Sequence, residues 1–217
     1  TVSGFSVAGK ATSFFIKELN LNLDAGMILN QKPSIVLVTH SHADHSFQLP
    51  YFLKRTQPPP RFFLPLESVD LCRSFITSSQ QFNSQSLAVD GSSKYTLQGV
   101  VPGDSISEGV HRIHVVKCDH SVPCVGYIIS RIKEKLMPQY HSAPPEEIIR
   151  LKKAGTKITE IVEESLLAFL GDTTASIWND PATAEPVLQC PVVFVECTFL
   201  EKAPEKASEI VEYGHTW

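Results

Sequence analysis

The stretch Ser34 to His45, SIVLVTHSHADH, constrains the fold more than any other part of this 217-residue chain. Ile35 to Val38 is a continuous apolar run rich in β-branched residues, the composition of a strand covered on both faces. It leads directly into His40, His42, Asp44 and His45. Crowding three imidazoles and a carboxylate into one short loop is costly unless a positive ion holds them together, so the segment predicts a metal-binding loop. In extended backbone alternate side chains face the same way, which lets His40 and His42 share one ion while Asp44 and His45, at the turn, face a second. Imidazole and carboxylate together suit Zn²⁺ best and leave Mn²⁺ or Fe²⁺ open. The cluster contains no thiolate, and such a shell keeps positions for water, which points to catalysis in preference to a closed structural site. Two ions can clamp the attacking and leaving oxygens of a hydrolysed ester.

The composition, 42% hydrophobic and 19% charged, is that of a globular chain long enough for one large domain over residues 1–217. No apolar run approaches the roughly 18 residues of a membrane span, so no membrane partner is expected. No signal-peptide pattern opens the chain, which begins with Thr1. Five scattered cysteines, none in a CxxC pair, argue for reduced thiols in an intracellular compartment, cytoplasmic or organellar. With a net charge of −4 there is no global basic field, so a nucleic acid would have to meet a local patch.

Around the metal loop the pattern alternates between strand and helix. Residues 1–30 read as a turn and a hairpin, with strands Thr12–Ile16 and Leu19–Leu23 ending at Asp24-Ala25-Gly26. Asp24 is either a turn former or a carboxylate supporting the metal loop, the former at least as favoured. A helix over Ser46–Arg55, capped by Asp44 or Ser46 and disturbed by Pro50, is followed by a strand at Arg61–Leu64 and a helix at Ser68–Ser78. Short strands are expected at Leu87–Val89, Tyr95–Val101 and Ile113–Val116. His120 then stands before the apolar Ile128-Ile129, where a further ligand would come from; a lone histidine is otherwise an ordinary structural side chain. Residues 131–160 concentrate Lys and Arg around a helix-like Glu146–Ala154 and read as a basic surface insertion, either a solvated face or a phosphate-tracking patch. Leu166–Leu170 and Val192–Val195 repeat the opening pattern, apolar strand then polar groups, ending at Gly171-Asp172-Thr173 and Glu196-Cys197-Thr198. Ligands of open α/β sheets sit beyond the carboxyl ends of strands, so the three ends are expected to converge.

THSHADH resembles the HxHxDH motif of the metallo-β-lactamase superfamily, which implies a four-layer αβ/βα sandwich of two mainly β sheets flanked by helices. Asp119-His120-Ser121-Val122-Pro123 with Gly126-Tyr127 is similar to the third metal motif of ribonuclease Z, the tRNA 3′-end endonuclease. Gly171-Asp172-Thr173 is similar to its bridging-aspartate motif, Val195-Glu196-Cys197-Thr198-Phe199 to its HEATF segment and Gly214-His215-Thr216 to its GHST segment. The resemblance runs in order along essentially the whole chain. It implies that His40, His42 and His120 hold one zinc, that Asp44 and His45 hold another, and that Asp172 bridges them. Asp44 would also serve as general base, and His215, oriented by Glu196, as general acid for the leaving oxygen. The family carries one more metal-binding histidine after the GHST segment, so the C-terminal end of the family domain is expected to be missing here and the second site incomplete.

The expected activity is hydrolysis of phosphodiester bonds in RNA, with precursor tRNA as candidate substrate and, by the same resemblance, a homodimer as the assembly. The interval His120–Asp172 holds no Gly-rich tRNA-gripping arm like the family's. That keeps two other readings in view: a hydrolase of a small ester, thioester or cyclic nucleotide, and a metal-poor, non-catalytic binding member.

Overall fold

The computed structural model describes residues 1–28, 30–55, 58–89 and 95–197. His215, with Gly214, Thr216, Thr198 and Phe199 of the segments read above, lies outside them.

Two sheets stack face to face. The first, of β1 (Val2–Val7), β2 (Ala11–Ile16), β3 (Leu21–Leu23), β4 (Ile35–Leu37), β5 (Arg61–Pro65) and β6 (Thr96–Val100), is ordered as in the chain. Its β1–β3 pairings are antiparallel and its β3–β6 pairings parallel. The second is ordered β11-β10-β9-β8-β7, from β7 (Ser105–Glu108), β8 (His111–Lys117), β9 (Val125–Leu136), β10 (Thr159–Phe169) and β11 (Val193–Phe194). Only β10 and β11 run parallel in it.

The period-two alternation of β4 accounts for the layering. Ile35 and Leu37 face the inter-sheet core with Leu21, Leu23, Phe63, Ile113, Val115, Tyr127 and Phe169. Val36 and Val38 face outward with Phe62 and Leu64, covered by α2 (Leu49–Arg55) and α3 (Val69–Ser84) through Leu49, Phe52, Cys72 and Ile76. Beyond the second sheet, Ile128, Ala168 and Leu170 pack under Ile177 and Val187, the latter from α5 (Pro181–Leu188). The result is the expected helix–sheet–sheet–helix arrangement. Each β4 side chain is fully buried, a burial worth about 1.5–3 kcal/mol apiece.

Several elements depart from the sequence reading. Residues 2–7 form an edge strand where a turn was expected; every residue in it is exposed, so no apolar alternation marks it. Gly4, at φ +150°, lies so close to β2 that a Cβ would fall 2.1 Å from the Ser13 carbonyl oxygen. The helix expected over Ser46–Arg55 is two: α1 (Ala43–Ser46) and α2, broken at Phe47–Gln48. The break follows from backbone pairing, because Gln48 N–H donates to the Ala25 carbonyl (2.8 Å) and Ala25 N–H to that of His45 (2.6 Å). Pro50 then sits at the second position of α2, where its missing N–H has no partner to lose. Leu87–Val89 is not a strand; Leu87 is exposed, and the Leu87 and Val89 carbonyls accept from the Gln81 side chain. β7 was not foreseen.

Within 131–160, β9 residues 132–136 pair with β10 residues 159–163 beyond the reach of β8, forming a two-stranded ribbon. α4 (Pro145–Lys153) lies at its tip and has no buried residue.

Candidate metal centre

Strand ends from both sheets meet at one edge of the sandwich. After β4 come His40, His42, Asp44 and His45; His120 lies on the loop between β8 and β9; Gly171-Asp172 follows β10 and Glu196 follows β11. Two donor groups form, His40 with His42 and His120, and His40 with His45 and Asp172, each with its ligand atoms within 4.8 Å of one another. His120 Nε2 and His42 Nδ1 are 3.1 Å apart. His45 Nε2 is 3.3 Å from Asp172 Oδ1 and 3.6 Å from Asp44 Oδ2. Asp44 thus borders the second group without being part of it, and its carboxylate also accepts the Gly9 N–H at 3.1 Å.

Asp24 organises the first loop. At φ +56° after β3, fully buried, it accepts the Thr39 N–H (2.7 Å) and the Thr39 hydroxyl (3.0 Å) on one side and His45 Nδ1 (2.7 Å) on the other. With its single proton given to Asp24, the Thr39 hydroxyl accepts from His40 Nδ1 at 3.0 Å. One carboxylate therefore sets the tautomers of two imidazoles and leaves Nε2 of each for the site. Burial and the neighbouring His45 lower His40 to about 2, so it stays neutral. Burial disfavours a charged His45, yet Asp24 and Asp172 outweigh it and raise it to about 10, so near neutral pH His45 carries an Nε2 proton facing Asp172 that a bound ion would have to displace. His40 Nε2 is a buried lone pair with no hydrogen-bond partner among the described residues, a costly condition that a cation at the shared corner of the two groups would relieve. The donor set and this atom fit a metal.

Backbone and thiols fasten the second sheet's contribution. Gly171 has φ +62°, and a Cβ there would sit 2.6 Å from Thr39 Oγ1, so only glycine lets the Asp172 loop approach the first sheet. Cys118 Sγ donates to the Leu170 carbonyl (3.1 Å) and Cys124 Sγ to that of Asp172 (3.3 Å). Contact with Cys118 and burial raise the Cys124 thiol well above its usual range. Glu196 accepts the Thr173 N–H at 2.7 Å, and Asp119 accepts the hydroxyls of Thr174 (2.7 Å) and Ser176 (2.8 Å). Those hydroxyls hold the Asp119 carboxyl below its ordinary range. An apolar cavity of about 280 Å³ adjoins the centre, walled by His40, Ser41, Phe47, Leu49, Cys72 and Phe75.

The sequence of residues 23–130 matches the profile of the metallo-beta-lactamase superfamily, and the two-sheet architecture agrees with it. Residues 23–130 therefore carry a metallo-β-lactamase superfamily domain. The chain is similar to the chloroplastic tRNase Z of Arabidopsis thaliana, 28% identical over an alignment of 228 positions that covers 99% of this chain and 60% of that protein. It is also 28% identical over 174 residues to the nuclear ribonuclease Z of Triticum aestivum, covering 74% of this chain and 92% of that one. The chain therefore spans about 60% of the length of its chloroplastic relative. Among solved structures, the short form of human tRNase Z superposes with a TM-score of 0.61 at 14% identity, over 99% of this chain and 83% of that one. The metallo-beta-lactamase fold protein YhfI from Bacillus subtilis gives 0.55, also at 14% identity, over 99% and 76%. These likenesses concern the fold. No described helix is long and apolar enough to cross a membrane.

Thr39 was not singled out from sequence, and Asp24 was given little weight. The parallel pairing of β3 with β4 sets Leu23 beside Leu37, which brings Asp24, one residue past β3, within reach of Thr39, two past β4, and no local sequence pattern carries that pairing.

Proposed function

We propose that this chain is a zinc-dependent hydrolase of phosphodiester bonds that acts on RNA, with the 3′ end of precursor tRNA as its candidate substrate. The observation that carries the reading is the buried, unpartnered His40 Nε2 at the corner shared by two donor groups. His40, His42 and His120 would hold one ion; His45, Asp172 and Asp44 would hold a second. When bound, the ions supply Lewis acidity and a water acidic enough to act as a nucleophile near neutral pH.

The chain's own groups do the rest. Asp24 holds His45 Nδ1 and, through Thr39, His40 Nδ1, so both rings present Nε2 without reorganising. Asp44, kept in place by the Gly9 N–H, is the carboxylate positioned to take a proton from the attacking water. Glu196, fixed by the Thr173 N–H, would orient His215 as the proton donor to the leaving 3′ oxygen. The names of the relatives support an RNA substrate, and the ribbon of β9 and β10 with α4 supplies Lys152 and Lys153 as candidate phosphate contacts. The apolar cavity beside His40 favours a second reading, hydrolysis of a small ester or thioester.

One experiment separates them: zinc content, then turnover of a precursor tRNA, bis(p-nitrophenyl) phosphate and a thioester by the zinc-loaded protein. The RNA reading expects cleavage of the tRNA, weakened binding and a shallower salt dependence when Lys152 and Lys153 become Ala, and loss of metal and activity in Asp172→Ala. Rapid ester or thioester turnover over intact tRNA would replace it with the second reading. A protein with less than one zinc per chain and no activity after zinc addition would be a non-catalytic binding member.

A further inference from the structure

We propose that Cys118 and Cys124 form a thiol clasp that positions Asp172 and His120 together, so that the cysteine pair controls how tightly the centre holds its metal. The inference rests on the metal-centre reading above and goes beyond it, because neither cysteine is one of the proposed ligands.

The β8–β9 ladder ends with Lys117 opposite Val125, and the same register places Cys118 opposite Cys124 on the next rung. The two thiols close the base of a loop, Asp119 to Pro123, that carries His120. Both are buried and neither is disulfide-bonded. Cys124 Sγ lies 4.0 Å from the Val125 carbonyl of its own hairpin, but the shorter contacts of both thiols cross to the Asp172 loop. Cys118 donates to the carbonyl of Leu170 and Cys124 to that of Asp172, the residues on either side of Gly171. Side chains at the foot of one ligand loop thus grip the backbone of the other at two points.

The surroundings leave these contacts little slack. A Cβ on Gly126 would lie 3.1 Å from Cys118 Sγ and 2.9 Å from a Leu170 methyl, so the hairpin presses directly on the Asp172 strand. Asp172 is held from the other side by Gly171 against Thr39 and by Glu196 on the Thr173 N–H. The carbonyls of 170 and 172 each meet a thiol. Sulfur is a weak donor, so each contact is small alone. Two of them across a single glycine fix the direction in which the Asp172 carboxylate leaves the backbone. Cys118 and Cys124 are on this account positioning residues, acting on the site through Asp172 and His120.

Cys190 is the natural control. It is buried in the same outer core as Cys118 and Cys124, but its thiol contacts the Pro186 carbonyl at 3.5 Å, away from the ligand loops. The test strips metal from the full chain and titrates it with Co²⁺, following the visible absorption band, with urea unfolding in parallel. The double variant Cys118→Ala/Cys124→Ala should bind Co²⁺ about 10- to 100-fold more weakly and shift the band. Cys118→Ser/Cys124→Ser, which restores a proton donor at both places, should recover most of the affinity. Cys190→Ala should keep the wild-type affinity and band even where its unfolding midpoint falls. Wild-type Co²⁺ behaviour in the double Ala variant overturns the proposal, as does an equal loss in Cys190→Ala or a Ser variant no better than Ala. A wild-type protein that takes up no Co²⁺ removes the metal-centre reading and the clasp with it; uptake by the wild type with unaltered variants removes the clasp alone.

Discussion

At the scale of single residues, the centre depends on a side chain that touches none of the reacting groups. Asp24 is enclosed, in a left-handed backbone conformation that aspartate tolerates better than most residues, and its two oxygens serve two different histidines. Replacing it by Asn keeps the volume and removes the charge that favours the Nδ1-protonated form of His45. Asp24→Asn should weaken zinc binding about 10- to 100-fold, read by competition with a chromophoric chelator, whereas Asp104→Asn, at an exposed turn, should not change it. Equal zinc affinity in wild type and Asp24→Asn would assign Asp24 to the turn alone. The ligand candidates themselves were legible because histidines clustered after an apolar run have few bland explanations. Asp24-Ala25-Gly26 spells an ordinary turn, and its second role exists only once β3 lies beside β4.

Elements differ in how firmly they belong to the fold, and legibility follows the same gradient. β4 and β5, buried on both faces, could be read from composition alone; β1, wholly exposed, could not. The split of α1 from α2 is set by two hydrogen bonds to Ala25, more than 15 residues away in sequence, which no local pattern encodes. The ribbon has the opposite character to β4. Among the described residues, β9 residues 133–136 pair with β10 alone, and α4 at its tip has no buried residue. Amides of residues 146–153 should therefore exchange with deuterium several orders of magnitude faster than those of Ile35–Leu37, as measured by hydrogen-exchange mass spectrometry. Similar protection in the two segments would mean that α4 docks on a surface in solution.

For the molecule as a whole, charge and topology are both divided. Residues 131–160 carry a net +3 against −7 for the remainder, so an overall acidic chain still presents a basic projection. The donors at the edge of the sandwich come from both sheets, and an ion there would tie one sheet to the other. Chelation should lower the unfolding temperature: an ion at a hundred times its dissociation constant contributes about 2.7 kcal/mol, or roughly 5–10 °C for a chain of this size. Calorimetry with and without a chelator checks this, and coincident transitions would show that no ion spans the sheets. The division between sheets is also a division along the chain. Residues up to Val100 form the first sheet with His40, His42, Asp44 and His45, and residues from Ser105 onward form the second with His120, Asp172 and Glu196. Each half, made as a separate fragment cut in the turn before Ser105, would hold an incomplete set of donors. During synthesis on the ribosome the first set would wait 75 residues for His120 and 127 for Asp172, so a loaded centre would certify that both halves had folded and met.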